Sequence, residues 1–445
     1  MKRFLLLILS ISLICSCETD IDSVHMQKNE ADTYSVTQGD LLSYLREYKG
    51  LGVDTKSVSD MDIKPVMQGN DTVMYIVNYE DGWEVLSADR RAPVVLMTCD
   101  SGHLDESELY MNEAQSEYVN IMKTAIHNLE QTDENVVISE EDNWNSIALL
   151  AEDPDTWTDW YLTGSTTLID TLANQDHLLA THWGQSGKWN KKAPFKDSTK
   201  TANCYTGCVM VAGSQVLYYL HHKLGCPDEI YTYSTCSAYI PDGGEYIVLN
   251  DDNISFGYSY GVDCWDLMPL SQDENVAQAR FDYVSTLMSR IGYLISAKYR
   301  LTGTSANTYN LLTAFETEYD IEGSISYTAD FSVVRNQICQ YKLPCVFALG
   351  KSTGGHCVVA DGFRDIGYFT RLFYQKHNNL AQIIRKEERI LNERHQFVAI
   401  NWGWDGTGDY DAETGKTIWY NTATINWQGY DTFRYMLYGF TSITE

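Results

Sequence analysis

The stretch Cys208-Val209-Met210-Val211-Ala212-Gly213-Ser214-Gln215-Val216-Leu217-Tyr218-Tyr219-Leu220 constrains the fold more than any other part of the chain. Val209, Ala212, Val216 and Leu220 recur at three- and four-residue spacing, which predicts a helix with a buried face. Thr206 and Gly207 supply a turn before its first residue, and Gly225 and Pro227 stop it. Cys208 therefore opens the helix. At that position the unpaired N–H groups and the positive end of the helix dipole favour thiolate over thiol. A small cysteine that merely packs a helix start reads the same way. The position becomes chemistry only if the chain also supplies a base, a group that orients it and an oxyanion donor.

One histidine stands in a context that suits the base. His356 follows Cys345-Val346-Phe347-Ala348-Leu349-Gly350 and a Gly-rich turn, and opens Cys357-Val358-Val359-Ala360-Asp361-Gly362, which predicts strand, turn and strand. His221 and His222, by contrast, sit at the end of the helix, where exposure and a favourable dipole interaction are expected. A third strand, Gln396 to Trp402, ends in Gly403-Trp404-Asp405-Gly406, so that Asn401 or Trp402 is placed to hold an imidazole. Upstream, Thr181-His182-Trp183-Gly184-Gln185 offers the Gln185 carboxamide as an oxyanion donor beside the N–H of Cys208. Each peptide is a weak signal alone; in the order Gln, Cys, His, Asn-Trp they form a constellation.

Lys2 and Arg3 precede an apolar run, Phe4 to Ile14, too short to span a bilayer but suited to a signal peptide. Ser16-Cys17 at its end resembles a lipobox, which makes Cys17 the lipidated residue and residues 1–16 the signal peptide. The acidic start Glu18, Asp20 and Asp22 resembles the surface-export tag of Bacteroides-type lipoproteins. An exported protein at the outer membrane or cell surface is expected, touching the membrane only through a lipid anchor. The formal charge of -29 argues against nucleic acid as a partner. With Cys15 removed and Cys17 acylated, nine cysteines remain, so at least one is unpaired.

Charge then divides the chain. From Glu18 to Leu150 there are 27 acidic and 8 basic residues, a density of negative charge that the remainder does not match. This front part predicts a small α+β unit: a helix near Asp40 to Tyr48, apolar runs at Val73–Val77, Trp83–Leu86 and Pro93–Met97, and an amphipathic segment from Glu106 to Leu129. A polar connector follows, from Glu130 to Asn145 together with Ala151 to Asp155.

In four motifs the chain resembles the streptopain-like cysteine peptidases. Leu178 to Gln185 is similar to the segment with the oxyanion glutamine, and Cys204-Tyr205-Thr206-Gly207-Cys208-Val209 to the nucleophile turn. Gly355 to Gly362 is similar to the base strand, and Asn401-Trp402-Gly403-Trp404-Asp405-Gly406 to the segment that follows it. Tyr205 departs from the usual proline and Asp405 from the usual glycine. The resemblance implies an α+β, papain-like fold with a helix-rich half and an antiparallel-sheet half, preceded by an inhibitory propeptide domain. After the signal peptide at 1–16, it implies a lipid-anchored propeptide and connector at 17–150 and a peptidase domain at 151–445. It assigns Cys208 as nucleophile, His356 as base, Gln185 as oxyanion donor and Asn401 or Trp402 as orienter. Peptide substrates and the chain's own propeptide are the implied partners, and no metal or organic cofactor is called for. An insertion at 364–395 separates base from orienter; within it, Ala381 to Arg394 reads as a charged helix. Two other classes compete: a glycan- or protein-binding surface lipoprotein presenting its aromatic residues, and a papain-like acyltransferase or amidase.

Overall fold

The computed structural model describes residues 34–47, 62–130, 144, 160–225, 230–232, 246–247, 254–256, 263–300, 302–351, 354–377, 383–425 and 433–443. The expected signal peptide, Cys17, Cys226, Cys236 and nearly all of the connector lie outside the described residues.

The front part builds the expected α+β unit. Helix α1 (Gln38–Glu47) buries Leu41, Tyr44 and Leu45 at helical spacing. Strands β1 (Asp62–Gln68), β2 (Asp71–Tyr79), β3 (Gly82–Ser87) and β4 (Val95–Cys99) follow as an antiparallel meander. The amphipathic segment after them is broken in two. A 3-10 turn at Glu106–Tyr110 precedes α2 (Glu113–Glu130), because the Asn112 side chain accepts the Gln115 N–H at 2.7 Å and caps a new helix.

The back part contributes β5 (Trp160–Gln175), α3 (Cys208–Leu224), α4 (Gln278–Leu294) and α5 (Asn310–Tyr319). Strands β6 (Ile321–Ser326), β7 (Cys345–Lys351), β8 (Gly354–His377), β9 (Ile383–Asn401), β10 (Trp419–Asn421) and β11 (Phe433–Ser442) complete it. The main sheet runs β1-β2-β3-β4-β10-β9-β8-β7-β11-β6, with β5 against the outer half of β8. It is continuous from front to back through two antiparallel pairs between β4 and β10, Thr98 with Trp419 and Met97 with Tyr420.

The period-2 alternation of the strands separates two of the three cores among the described residues, the third being formed by Leu41, Tyr44 and Leu45 of α1 with Val77, Ala399 and Trp419. Val346, Cys357 and Val359 face a helical layer in which Val209, Ala212 and Val216 of α3 pack with Trp183, Trp189, Trp265 and α4. Phe347, Val358, Ala360 and Ile400 face the other way, toward Tyr118, Met122 and Ile126 of α2. The sheet thus carries the peptidase helices on one side and α2 of the front part on the other.

Two expectations are corrected. From Ile383 to Arg394 the chain is not a charged helix but part of β9, paired with β8 from Asn401 to Ile383. Its helix-forming residues are overridden by the ladder and by buried Asp365, which accepts the Arg394 guanidinium at 2.8 and 2.7 Å. The insertion is therefore a long hairpin, and β5 widens it to three strands. Gly362 marks the point where β8 exchanges β7 for β5; a Cβ there would lie 2.6 Å from that of Ala399. The second correction concerns His221, which is buried, pairs with Asp263 at 2.8 Å and stacks on Trp265, whereas His222 is exposed as expected.

Candidate active site

Cys208 is the first residue of α3, and the residue before it explains the local geometry. Gly207 has φ 99°, a conformation that glycine alone adopts without strain, and a Cβ on it would come within 2.6 Å of the Met210 side chain. The turn directs the Cys208 thiol toward β8. Its sulfur accepts the Cys357 N–H at 3.4 Å and hydrogen-bonds the His356 ring. Burial alone would push the thiol up; the charge of His356, its hydrogen bond and the N–H groups of Cys357 and Val209 outweigh this, and the thiol titrates below its ordinary value.

His356 pairs across the sheet with Leu349 and lies in phase with Val358 and Ala360. Its Nε2–H donates to the main-chain carbonyl of Trp402 at 3.1 Å, which leaves Nδ1 for the thiol. Burial would lower the imidazole pKa, but the facing thiolate and these hydrogen bonds raise it. Both shifts favour a thiolate–imidazolium pair.

Asn401 and Trp402 have different positions. The Asn401 carboxamide does not meet the ring; it is buried, donating to the Thr181 carbonyl at 2.9 Å and accepting from Gln215 Nε2 at 2.9 Å and from the Gly403 N–H at 3.1 Å. The group on the ring is the Trp402 carbonyl. The Trp402 indole is buried against Tyr118 and Tyr420 and donates to the Tyr420 hydroxyl at 3.1 Å. Gln185 is buried beside the nucleophile turn, its main-chain carbonyl accepting the Thr206 N–H at 2.9 Å two residues before Cys208. Asp405 takes a left-handed φ of 58° and accepts from the Trp189 indole, so the usual glycine is replaced by a residue with its own partner.

Cys208 and His356 open onto a cleft of about 360 Å³, walled by Thr304 to Thr308, Ala348, Cys357 and Tyr435. A second and much smaller space also touches the ring. There Glu117, Tyr118 and Ile121 of α2 close over His356 and Trp402, leaving a cavity of about 20 Å³.

Two residues behind the site were missed by the sequence reading. Gln215 pairs with Asn401, and buried Asp409 accepts the Trp402 N–H at 2.8 Å, with its carboxyl pushed up to about 7 by burial. Gln215 had a signal: a polar residue seven positions after Cys208, two turns along the same face of an apolar helix. Asp409 had none.

A model of the Peptidase C10 family matches residues 183–410, a span that holds Gln185, Cys208, His356, Asn401 and Trp402. Among solved structures, a prointerpain A fragment from Prevotella intermedia is 18% identical with a TM-score of 0.49, covering 85% of this chain and 99% of that one. The active interpain A cysteine protease of the same organism is 22% identical with a TM-score of 0.38, covering 60% and 97%. No curated protein sequence matches the chain. The family model spans just over half of the 445 residues, and by that match this chain belongs to the Peptidase C10 family and is a cysteine-type peptidase.

Proposed function

We propose that the chain is an exported cysteine endopeptidase made as a zymogen, in which Cys208 is the nucleophile and His356 the general acid–base. The observation that carries this reading is the Cys208 sulfur at a helix start, held between the His356 ring and the Cys357 N–H. The thiolate attacks a peptide carbonyl. The developing oxyanion is met by the Cys208 N–H and the Gln185 carboxamide. Imidazolium protonates the departing amine, the thioester forms, and water activated by the neutral imidazole releases the acid. The Trp402 carbonyl keeps the ring in place throughout.

The front part, 17–150, acts as the propeptide, with α2 covering one side of His356. Glu117 adds a negative charge that the imidazole senses. Cys17 anchors the proprotein to the cell surface through lipid, and cleavage in the connector begins maturation of the 151–445 peptidase.

The test is Cys208→Ala. It is expected to preserve the far-UV circular dichroism of the full-length chain and to abolish the peptide hydrolysis that the unmodified chain gains once an added protease has cut the connector; retained turnover would refute the assignment.

A further inference from the structure

The proposed mechanism draws its groups from three distant stretches, Thr181–Gln185, α3 and Asn401–Trp402, together with His356 on β8. We infer that Gln215 is the positioning residue that brings them into register, through a buried pair with Asn401. The inference rests on the Cys208–His356 reading above and extends it.

The two carboxamides meet head to tail. Gln215 Nε2 donates to Asn401 Oδ1 at 2.9 Å, and Asn401 Nδ2 donates back to Gln215 Oε1 at 3.3 Å. Each then reaches one further element. Gln215 Oε1 accepts the Trp183 N–H at 3.2 Å, and Asn401 Nδ2 donates to the Thr181 carbonyl at 2.9 Å, so both hold the segment that ends in Gln185. Asn401 Oδ1 also accepts the Gly403 N–H at 3.1 Å. That N–H belongs to the same peptide plane as the Trp402 carbonyl, because the unit is planar. Fixing one end of the plane therefore aims the other, and the aimed oxygen is the one that accepts His356 Nε2–H at 3.1 Å. Gln215 itself rides on the helix that begins with Cys208.

Burial makes the arrangement stiff. Gln215 has 0% and Asn401 2% of its surface exposed, so no water competes for these bonds, and losing one leaves a buried polar group unmet. Gln215 touches neither thiol nor ring. It acts through Asn401 and the Trp402–Gly403 peptide, and its removal should alter the dyad without altering the cleft that receives substrate.

The experiment compares Gln215→Met, Gln215→Glu and Cys208→Ala with the unmodified chain, each made full-length and then matured by an added protease that is removed before assay, following peptide hydrolysis and the pH dependence of Cys208 alkylation by iodoacetamide. Gln215→Met should lower kcat by roughly 10- to 100-fold, the scale expected when reacting groups are slightly misplaced, with KM little changed. Its alkylation profile should move toward that of an ordinary thiol. In Gln215→Glu the protonated carboxyl can donate to Asn401 Oδ1, so its kcat relative to the unmodified chain should rise as pH falls. An unchanged kcat and alkylation profile in Gln215→Met overturns the inference. If that variant does not fold, a pH-independent ratio for Gln215→Glu overturns it instead. Hydrolysis by Cys208→Ala would defeat the underlying reading, whereas an inactive Cys208→Ala beside a fully active Gln215→Met defeats only the role of Gln215.

Discussion

Seven cysteines fall within the described residues, and the environment separates one from the other six. Burial pushes Cys99, Cys204 and Cys264 up to about 11 and raises Cys339, Cys345 and Cys357 as well. Cys208 alone is lowered, because it alone faces an imidazole from a helix start. The sign of the pH dependence follows. A depressed thiol pKa keeps the thiolate at pH values below the ordinary cysteine range, so the acid limb of kcat/KM moves down. A raised imidazole pKa keeps the proton needed by the leaving amine to higher pH, so the alkaline limb moves up. The active window should be wider at both ends than free cysteine and histidine would give. Iodoacetamide alkylation of Cys208 across pH checks this; a single titration at the value of an ordinary thiol contradicts it. Cys208 and His356 were legible because residue type and flanking pattern carry the signal. The choice between Asn401 and Trp402 was not, since the group on the ring is a main-chain carbonyl, which every residue possesses.

Elements were legible where local preference and packing agree. Helix α3 combines a 3.6-residue apolar period, a glycine turn at its start and Gly225 with φ 70° at its end, and it runs as expected. The hairpin of β8 and β9 was misread because Lys, Arg and Glu favour helix when taken alone, while cross-strand pairing decides the outcome. The partner that widens it, β5, mixes apolar and polar residues without strict alternation, so only tertiary pairing could reveal which strand it joins. Gly207 gives the sharpest test at this scale. Gly207→Ala places a methyl group against Met210 and Thr304 in a backbone region that costs roughly 1–3 kcal/mol for other residues. The melting temperature should fall, and alkylation of Cys208 in the remaining folded protein should slow as the turn shifts the sulfur from His356. Unchanged stability and alkylation would show that the turn is not strained.

At the scale of the whole molecule, the front part is joined to the peptidase more intimately than a polar connector suggests. Besides the shared sheet, Asn112 donates to the Thr407 carbonyl at 2.6 Å, Trp83 to Asp411 at 3.1 Å, and Arg364 pairs with Asp100. Tyr118 packs on Trp402 and hydrogen-bonds Thr424. Val66, Val73, Ile76 and Trp83 share one core with Phe347, Val358, Ile400 and Met436. Such an interface buries apolar surface from both partners, so a cut in the connector need not separate them. The sequence revealed two compositional parts but not this union, because charge density marks a boundary and says nothing of which strands meet across it. The most direct measurement is to treat the full-length chain with a peptidyl thiol-directed inhibitor, before and after proteolytic removal of the front part, and to map the adduct by mass spectrometry. The adduct should be confined to Cys208, forming slowly while α2 covers His356 and quickly once it is gone. An adduct on a different cysteine, or none on Cys208 after the front part is removed, would contradict this assignment.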